Sequence, residues 1–201
     1  MNPSQQLRLW AHELASLART GLEFSPTPYD TDRYERVARI AEGIAGLAID
    51  AAFTPERPYF ADTGYATAKV GVGRAAFDPQ GRVALIQRAD NGRWALPGGF
   101  AEVGSTPAEN ALRELREESG LEAEVTGLVG VYDNSRFNSA SAYHLYICCF
   151  RGRVTGGKPA ASNETLDVRF VDPDGLPGPM SELQRTMIAD AARGAAAAAF
   201  Q

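Results

Sequence analysis

Three glutamates, Glu114, Glu117 and Glu118, lie within five consecutive positions of the stretch RELREESG, residues 113–120. Like charges three and four positions apart on a helix repel each other, so helix stability alone does not favour this spacing. At about 100° per residue the three carboxylates share one side of a helix, while apolar residues cover another side. Clustered carboxylates provide the oxygen ligands that Mg²⁺ or Mn²⁺ prefers. A solvated acidic face that pairs with neighbouring arginines is the alternative interpretation.

The segments around this cluster predict a positioned helix. Thr106 suits the N-cap, Pro107 the first helical position, and Glu109 completes a capping box. Gly120 supplies the left-handed residue that commonly follows a helix. The two glycines of WALPGGF, residues 94–100, allow the backbone to approach closely because no side chain intervenes. We therefore expect a strand, a tight turn and an acidic helix to form a cup with oxygen ligands.

Composition limits the class of protein. With 201 residues, 44% hydrophobic and 22% charged, the chain is typical of a soluble globular protein. A net charge of −5 argues against nucleic acid bound by bulk electrostatics. His12 and His144 are too few and too far apart to indicate zinc, and the adjacent Cys148 and Cys149 are poorly placed to bridge each other. No signal peptide or apolar stretch of ~18 residues is visible, so we expect a cytoplasmic protein without a membrane span.

The chain divides into three parts. Residues 1–50 predict a helical hairpin, 51–65 a proline-containing linker, and 66–201 the main domain. In the hairpin, Asp32 and Glu35 resemble a capping box at the start of the second helix. The apolar positions recur at steps of three and four residues and predict one apolar face per helix: Leu7, Trp10, Leu14 and Leu17, then Val37, Ile40, Ile44 and Leu47. Such a hairpin must dock on the main domain or on another subunit.

From Ala66 the pattern is that of strands. The stretches ATAKVGVGRAAF and RVALIQR flank the turn sequence DPQG and predict a β-hairpin. Further strands are expected at AEVTGLVGVYD and YHLYICCF, with LDVRFV as the last strand of the sheet. A final helix begins at Ser181, with Gln184 as its capping partner, and ends near Gly194. Strands interrupted by one helix and closed by another predict an α+β fold.

At the acidic helix the chain resembles the Nudix hydrolases. Their signature is a glycine, five residues, a glutamate, seven residues, then Arg-Glu-aliphatic-any-Glu-Glu-any-Gly-aliphatic. Here it reads Gly99, FAEVG, Ser105, TPAENAL and RELREESGL, and only Ser105 departs from it. The resemblance implies an α/β/α sandwich with a mixed sheet, which hydrolyses a nucleoside diphosphate linked to another group.

The resemblance also implies roles for residues. The carboxylates of Glu114 and Glu118, with Glu117, are the expected metal ligands, and the carbonyl of Gly99 can complete the set. The expected ion is Mg²⁺, with Mn²⁺ possible. Arg113 is expected to hold the glutamates, within reach of Glu109 and Glu117. Because Ser105 replaces a supporting acid, the Thr106–Glu109 cap is expected to take over part of its role, and a non-hydrolysing nucleotide sensor remains an alternative.

Three residues outside the signature are candidates for catalysis or substrate binding, and each has an alternative interpretation. Glu164, on a loop before the last strand, is the candidate general base, or a solvent-exposed acid. Arg88 and Arg136 could bind phosphate through forked hydrogen bonds, or form surface salt bridges.

The helical hairpin is similar to the N-terminal extension of a Nudix subgroup that acts on X-linked nucleoside diphosphates. This similarity implies a small-molecule substrate such as ADP-ribose or CDP-choline, cleaved to a nucleoside monophosphate and phospho-X. It also implies a homodimer. Phe24, Tyr29 or Tyr34 could contribute to a base pocket, or could belong to the interface or core. An RNA-processing Nudix enzyme is a further alternative that the acidic charge disfavours.

Overall fold

The structure is a computed structural model that describes residues 3–24, 27–48, 67–137, 144–194 and 198–200. The predicted linker at 51–65 lies outside these residues. The chain forms two compact units. The N-terminal unit comprises Met1–Lys69 with Ser135–His144, and the sheet unit comprises Val70–Asn134 with Leu145–Gln201.

The N-terminal unit contains the predicted helical hairpin. Helix α1 spans Pro3–Phe24 and helix α2 spans Pro28–Ala48, and the two pack against each other. Gly21 of α1 faces the ring of Tyr34 of α2 so closely that a Cβ at residue 21 would lie 2.3 Å from the ring carbon Cε1. The helices α1 and α2 can therefore approach this closely because residue 21 is a glycine and has no side chain.

The apolar residues predicted to form one face of each helix are not the ones that the hairpin buries. Alanines are the buried hydrophobic residues here, whereas Leu7, Leu14, Val37 and Ile44 are half-buried. Trp10 is 51% exposed, Leu17 60%, Ile40 58% and Leu47 81%. Small residues let helices approach closely, and so the larger apolar residues lie at the margins or on the surface of the pair. The buried positions are Ala11, Ala15, Ala18, Ala41 and Ala45.

The start of α2 also differs from the prediction. The helix begins at Pro28, with Thr27 before it, rather than at Asp32 and Glu35. The Thr27 hydroxyl accepts a hydrogen bond from the Asp30 backbone N–H at 3.2 Å and donates to the Asp30 carboxylate at 2.7 Å. A threonine cap followed by proline at the first helical position is the stronger and earlier start signal.

His12 and His144 are neighbours in this unit, although they are distant in sequence. Their ring centroids lie 5.8 Å apart. The expectation that the two histidines are far apart is therefore wrong. Two imidazoles alone are still too few for a structural zinc site, which takes four ligands.

Among the described residues, the sheet unit has eight strands, in the order β3-β2-β1-β6-β5-β8, with β4 added to β1 and β7 added to β2. The pairs β1–β2, β1–β4, β2–β3, β2–β7 and β5–β6 are antiparallel, and the pair β5–β8 is parallel, so the sheet is mixed. The turn DPQG joins β1 to β2 as predicted, with Phe77 opposite Val83. LDVRFV is not the last strand, because β8 follows it and pairs with β5. The strands are β1 Lys69–Phe77, β2 Val83–Arg88, β3 Trp94–Ala95, β4 Gly98–Phe100, β5 Leu121–Asp133, β6 Leu145–Gly157, β7 Thr165–Val171 and β8 Ala199–Phe200.

Helices α3, Pro107–Ser119, and α4, Glu182–Arg193, cover opposite faces of this sheet. Leu115 of α3 belongs to a buried cluster with Ala76. A Cβ at Gly73 would instead lie 4.0 Å from the sulfur of Met187 on α4. Residues 73 and 76 of β1 have opposite parity, so they face opposite sides. The predicted α+β fold, with its α/β/α sandwich, is confirmed.

The predicted boundaries of α4 are confirmed as well. The Ser181 side chain accepts the backbone N–H of Gln184, and Gly194 ends the helix with a left-handed φ of 65°. On the sheet, Cys149 is buried, Cys148 is half-buried, and both are free thiols. None of the helices in the described ranges is long and apolar enough to cross a membrane.

A buried arginine lies inside the sheet unit. Arg74 of β1 is 0% exposed, and its Nε, Nη1 and Nη2 atoms have no hydrogen-bond partner among the described residues. Gly152 leaves room for it, since a Cβ there would lie 2.3 Å from Nη2. Burial lowers the pKa of this guanidinium to about 10. The core of the sheet unit therefore holds a charge that costs stability.

Candidate active site

The glycine turn and the acidic helix meet as the sequence predicts. Strand β4 pairs with β1 and places Gly98 opposite Gly73 and Gly99 opposite Val72. Glu118 is only 6% exposed, and its carboxylate accepts the backbone N–H of Gly98 at 2.7 Å. A Cβ at Gly99 would lie 2.7 Å from Oε1 of Glu114. Both carboxylates therefore border the same short backbone segment.

The electrostatics of these two glutamates are unusual. Burial raises the pKa of Glu118 to about 7; the Gly98 N–H opposes this rise, while the negative charges of Glu114 and Glu164 add to it. Burial also raises the pKa of Glu114, against the lowering effect of Arg113. The cause in both cases is the loss of water around a carboxylate that has like charges nearby.

Arg113 is the cation that contacts the acidic cluster directly. It donates from Nη1 to the Glu117 carboxylate at 2.7 Å and from Nη2 to the Glu114 carboxylate at 2.8 Å. The expected contact with Glu109 is not formed. Glu109 instead accepts from the backbone N–H and the hydroxyl of Thr106, at 2.8 Å each, in the predicted capping box.

The segments that carry Glu164 and Arg88 meet the helix at Glu118: Thr165, which follows Glu164 and pairs with Arg88, donates from its hydroxyl to the Glu118 carbonyl at 3.0 Å. Strand β2, which ends at Arg88, pairs with β7, which begins just after Glu164. The backbone N–H of Ala89 also donates to the carbonyl of Glu164 at 2.9 Å. The charge of Arg88 lowers the pKa of Glu118, and that of Glu164 raises it. Arg88 itself forms a forked pair with Asp90, with Nε to Oδ1 at 3.0 Å and Nη2 to Oδ2 at 2.9 Å. Glu164 is exposed.

Arg136 and Tyr29 do not belong to the sheet unit. Arg136 is exposed in the short 3-10 helix Asn134–Arg136 of the connection between β5 and β6 and is grouped with the N-terminal unit, as is Tyr29. Tyr29 is 80% exposed and Phe24 58%, whereas Tyr34 packs over Gly21 within the hairpin.

The donor chemistry around Gly99 fits a hard divalent cation. Glu114 and Glu118 offer carboxylate oxygens whose charge is disfavoured by burial, and a cation would relieve that cost. The third glutamate, Glu117, is bound to Arg113 and its side chain is 52% exposed. Accordingly, the described residues contain no group of three or more His, Cys, Asp or Glu side chains arranged to hold an ion. The oxygen donors that fit a divalent cation are therefore the carboxylates of Glu114 and Glu118 and the backbone oxygen at Gly99.

Sequence reasoning missed Asn110 and Glu102. Asn110 is 1% exposed on α3, and its amide binds the loop that precedes the helix. Glu102, on that loop, lies with Oε1 3.5 Å from Nη2 of Arg113. An amide at a buried helix position, where an aliphatic residue is usual, is the signal that could have identified Asn110.

Comparisons with known proteins agree with this geometry. Residues 67–191 match the family described as NUDIX domain, and residues 5–52 match the UDP-X-like, N-terminal oligomerisation domain. A Bacillus subtilis protein named "Putative ADP-ribose pyrophosphatase YjhB" is 32% identical over 178 residues, which cover 88% of this chain and 85% of that protein. An ADP-ribose pyrophosphatase of Methanocaldococcus jannaschii is 36% identical over 99 residues, 48% of this chain and 57% of that one.

A solved structure aligns with this chain over almost its whole length. The crystal structure of a UDP-X diphosphatase aligns with a TM-score of 0.59 at 26% identity and covers 98% of both chains. The signature, the sandwich and these matches together show that the chain belongs to the Nudix hydrolases, as a Nudix pyrophosphohydrolase.

Proposed function

We propose that this enzyme hydrolyses the pyrophosphate bond of an X-linked nucleoside diphosphate in a Mg²⁺-dependent reaction, giving a nucleoside monophosphate and phospho-X. The observation that carries the proposal is the convergence of Glu114 and Glu118 on the Gly98–Gly99 backbone. ADP-ribose is the first candidate substrate because it is named for relatives of this chain. CDP-choline is the second candidate of the same class.

The acidic helix would hold the cation. Glu114, Glu118 and the Gly99 carbonyl are its proposed ligands, with Glu117 as a further ligand once it leaves Arg113. A bound divalent ion would neutralise the diphosphate and lower the pKa of the attacking water. Arg113 fixes the orientation of Glu114 through the 2.8 Å contact.

Two residues outside the signature complete the proposed machinery. Glu164 takes the proton of the attacking water, because it is exposed and lies next to Glu118. Arg88 binds a phosphate oxygen with the Nη1 side of its guanidinium, because Asp90 already accepts from Nε and Nη2 and holds the group in one orientation. Tyr29 and Arg136 are proposed as further substrate contacts.

The experiment is a substrate panel with product identification. ADP-ribose, CDP-choline, other nucleoside diphosphate sugars and a labelled RNA are incubated with the protein in Mg²⁺, in Mn²⁺ and in EDTA, and the products are separated by chromatography. Monophosphate and phospho-X in metal, and neither in EDTA, are expected. Intact ligand bound at stoichiometry without product would favour a sensor, and shortened RNA would favour an RNA-processing enzyme. No cleavage of any member of the panel would refute the proposal.

We further propose that residues 1–50 and 66–201 act as separate domains. We also propose that the enzyme is a homodimer. Trp10, Leu17 and Phe24 of α1 are spaced by seven residues and are all more than half exposed. A surface apolar stripe of this kind is typical of an interface. The match of residues 5–52 to an oligomerisation domain supports it. Light scattering after size exclusion measures the mass, for which twice 21.5 kDa is expected.

A further inference from the structure

Ser105 stands where the Nudix signature has a glutamate, and the structure shows what surrounds it. The Ser105 side chain is exposed, and its backbone carbonyl accepts from the Asn110 amide at 3.4 Å. The neighbouring acid Glu109 is occupied by the N-cap, where it binds Thr106 twice. Neither residue therefore supplies a negative charge to Arg113.

A different acid approaches Arg113 from the same loop. The Nη2 atom of Arg113 lies 3.5 Å from the carboxylate of Glu102, and it also donates to Oδ1 of Asn110 at 3.3 Å. The same Nη2 holds Glu114 at 2.8 Å. Glu102 and Asn110 thus contact the guanidinium at the nitrogen that orients the proposed metal ligand.

Asn110 fixes the loop from which Glu102 extends. Its Nδ2 donates to the carbonyls of Glu102, Ser105 and Thr106, at 3.3, 3.4 and 3.2 Å. Its Oδ1 accepts the backbone N–H of Glu102 at 3.0 Å. Both backbone groups of Glu102 are therefore tied to one buried amide. The loop has a left-handed turn at Gly104, with φ of 95°, which lets it close around Asn110.

We propose that Glu102, held in place by Asn110, is a positioning residue that substitutes for the acid missing at Ser105. Its charge keeps the Arg113 guanidinium over Glu114, and Arg113 in turn keeps the Glu114 carboxylate directed at the metal position. The inference rests on the proposed metal-dependent function. The supporting acid is thus at residue 102, in the loop before the helix, and not at residue 105, next to the start of the helix.

The test is the metal affinity of Glu102→Gln, measured by Mn²⁺ electron paramagnetic resonance without substrate. Since Glu102 is largely exposed, its charge contributes modestly, and binding is expected to weaken about two- to fivefold. The Mg²⁺ concentration for half-maximal activity rises by the same factor, while kcat at saturating Mg²⁺ changes little. Glu122→Gln, which removes an exposed glutamate from β5, is the matched control and leaves both values unchanged.

A rescue variant makes the assignment specific. If the acid at 102 performs the task of the acid at 105, Glu102→Gln with Ser105→Glu recovers the parent Mn²⁺ affinity to within about twofold. Asn110→Ala removes both the amide donors and the Oδ1 acceptor that tie Glu102 and its loop to α3, without adding a charge beside Arg113, so it weakens Mn²⁺ binding about tenfold. Asn110→Ala is compared at a temperature where circular dichroism shows it to be folded.

The outcomes separate this inference from the proposed function. Unchanged Mn²⁺ affinity in Glu102→Gln, or a double variant as weak as the single one, would overturn the inference, even if the parent cleaves its substrate. Absence of cleavage by the parent would refute the proposed function instead, and the Mn²⁺ measurements do not depend on it.

Discussion

Replacing Glu118 by glutamine is expected to abolish activity and, in the absence of metal, to stabilise the protein. Glu118 is buried, and its pKa rises from the ordinary 4.5 to about 7. The ionised carboxylate therefore destabilises the folded state. Glutamine has nearly the same shape, carries no charge, and retains an oxygen that can accept the Gly98 N–H.

The size and sign of the effect follow from linkage. Between pH ~4.5 and ~7 the folded parent retains a proton that the unfolded chain has lost, so the free energy of unfolding falls as pH rises. A rise of about 2.5 in pKa corresponds to about 3 kcal/mol at pH 8, an upper bound. Because the glutamine amide N–H groups need acceptors, we expect a net gain of ~2 kcal/mol, or about 4–8 °C in Tm.

Thermal unfolding in EDTA at pH 5.5 and pH 8, followed by circular dichroism, measures this gain. Glu118→Gln should exceed the parent clearly at pH 8 and by much less at pH 5.5, where the parent carboxyl is mostly protonated. Added Mg²⁺ should raise the Tm of the parent only, because the variant lacks a charged ligand. The exposed-surface variant Glu122→Gln should follow the parent at both pH values. A variant less stable than the parent at pH 8, or a pH-independent difference, would refute the reasoning.

Four further changes test other parts of the structure. Gly99→Ala places a methyl group within 2.7 Å of the Glu114 carboxylate, so turnover should fall about 100-fold while the fold is retained. Glu164→Gln should lower kcat about 10²- to 10⁴-fold in steady-state assays. Leu17→Glu should convert a dimer to monomers in light scattering, because it buries charge in an apolar interface. Arg74→Met should raise the free energy of unfolding by ~1–3 kcal/mol in urea titrations, since it removes a buried cation without a partner.

Matched controls accompany these changes. Gly43→Ala, at a glycine of α2 with nothing within 4 Å of an added Cβ, should leave turnover unchanged. Glu182→Gln, an exposed acid at the start of α4, is the control for Glu164. Normal kcat in Glu164→Gln would assign the base elsewhere, and a dimeric Leu17→Glu would place the interface on another face. A less stable Arg74→Met would show that the guanidinium contributes favourable contacts.

Local signals were enough to predict the helix that bears the acids and the turn that faces it. Thr106, Pro107 and Glu109 define the start of α3, Gly120 its end, and each acts through neighbours in sequence. The spacing of Glu114 and Glu118 then fixes their common side. The roles proposed for these residues remain predictions, because the structure shows their placement and not their chemistry.

Features that depend on partners distant in sequence were harder to predict. Trp10 and Leu17 have helical spacing, but spacing does not tell which side of a helix meets its neighbour, and the alanines pack there instead. Strand β8 has two residues and exists through its pairing with β5. The Arg113 contacts of Glu102 and Asn110 need the loop to fold back over α3, which no local pattern encodes.

At the contact between Gly21 of α1 and the ring of Tyr34 of α2, the two helices are packed so closely that no methyl group fits. A larger side chain at residue 21 would push the two helices apart at this point, so the exposed residues Trp10, Leu17 and Phe24 of α1 would change direction relative to α2. Relatives that carry a bulkier residue at the first position should therefore carry a smaller ring-free residue at the second. Exchanging the large and the small residue in this chain would therefore test whether the angle between α1 and α2 depends on this contact.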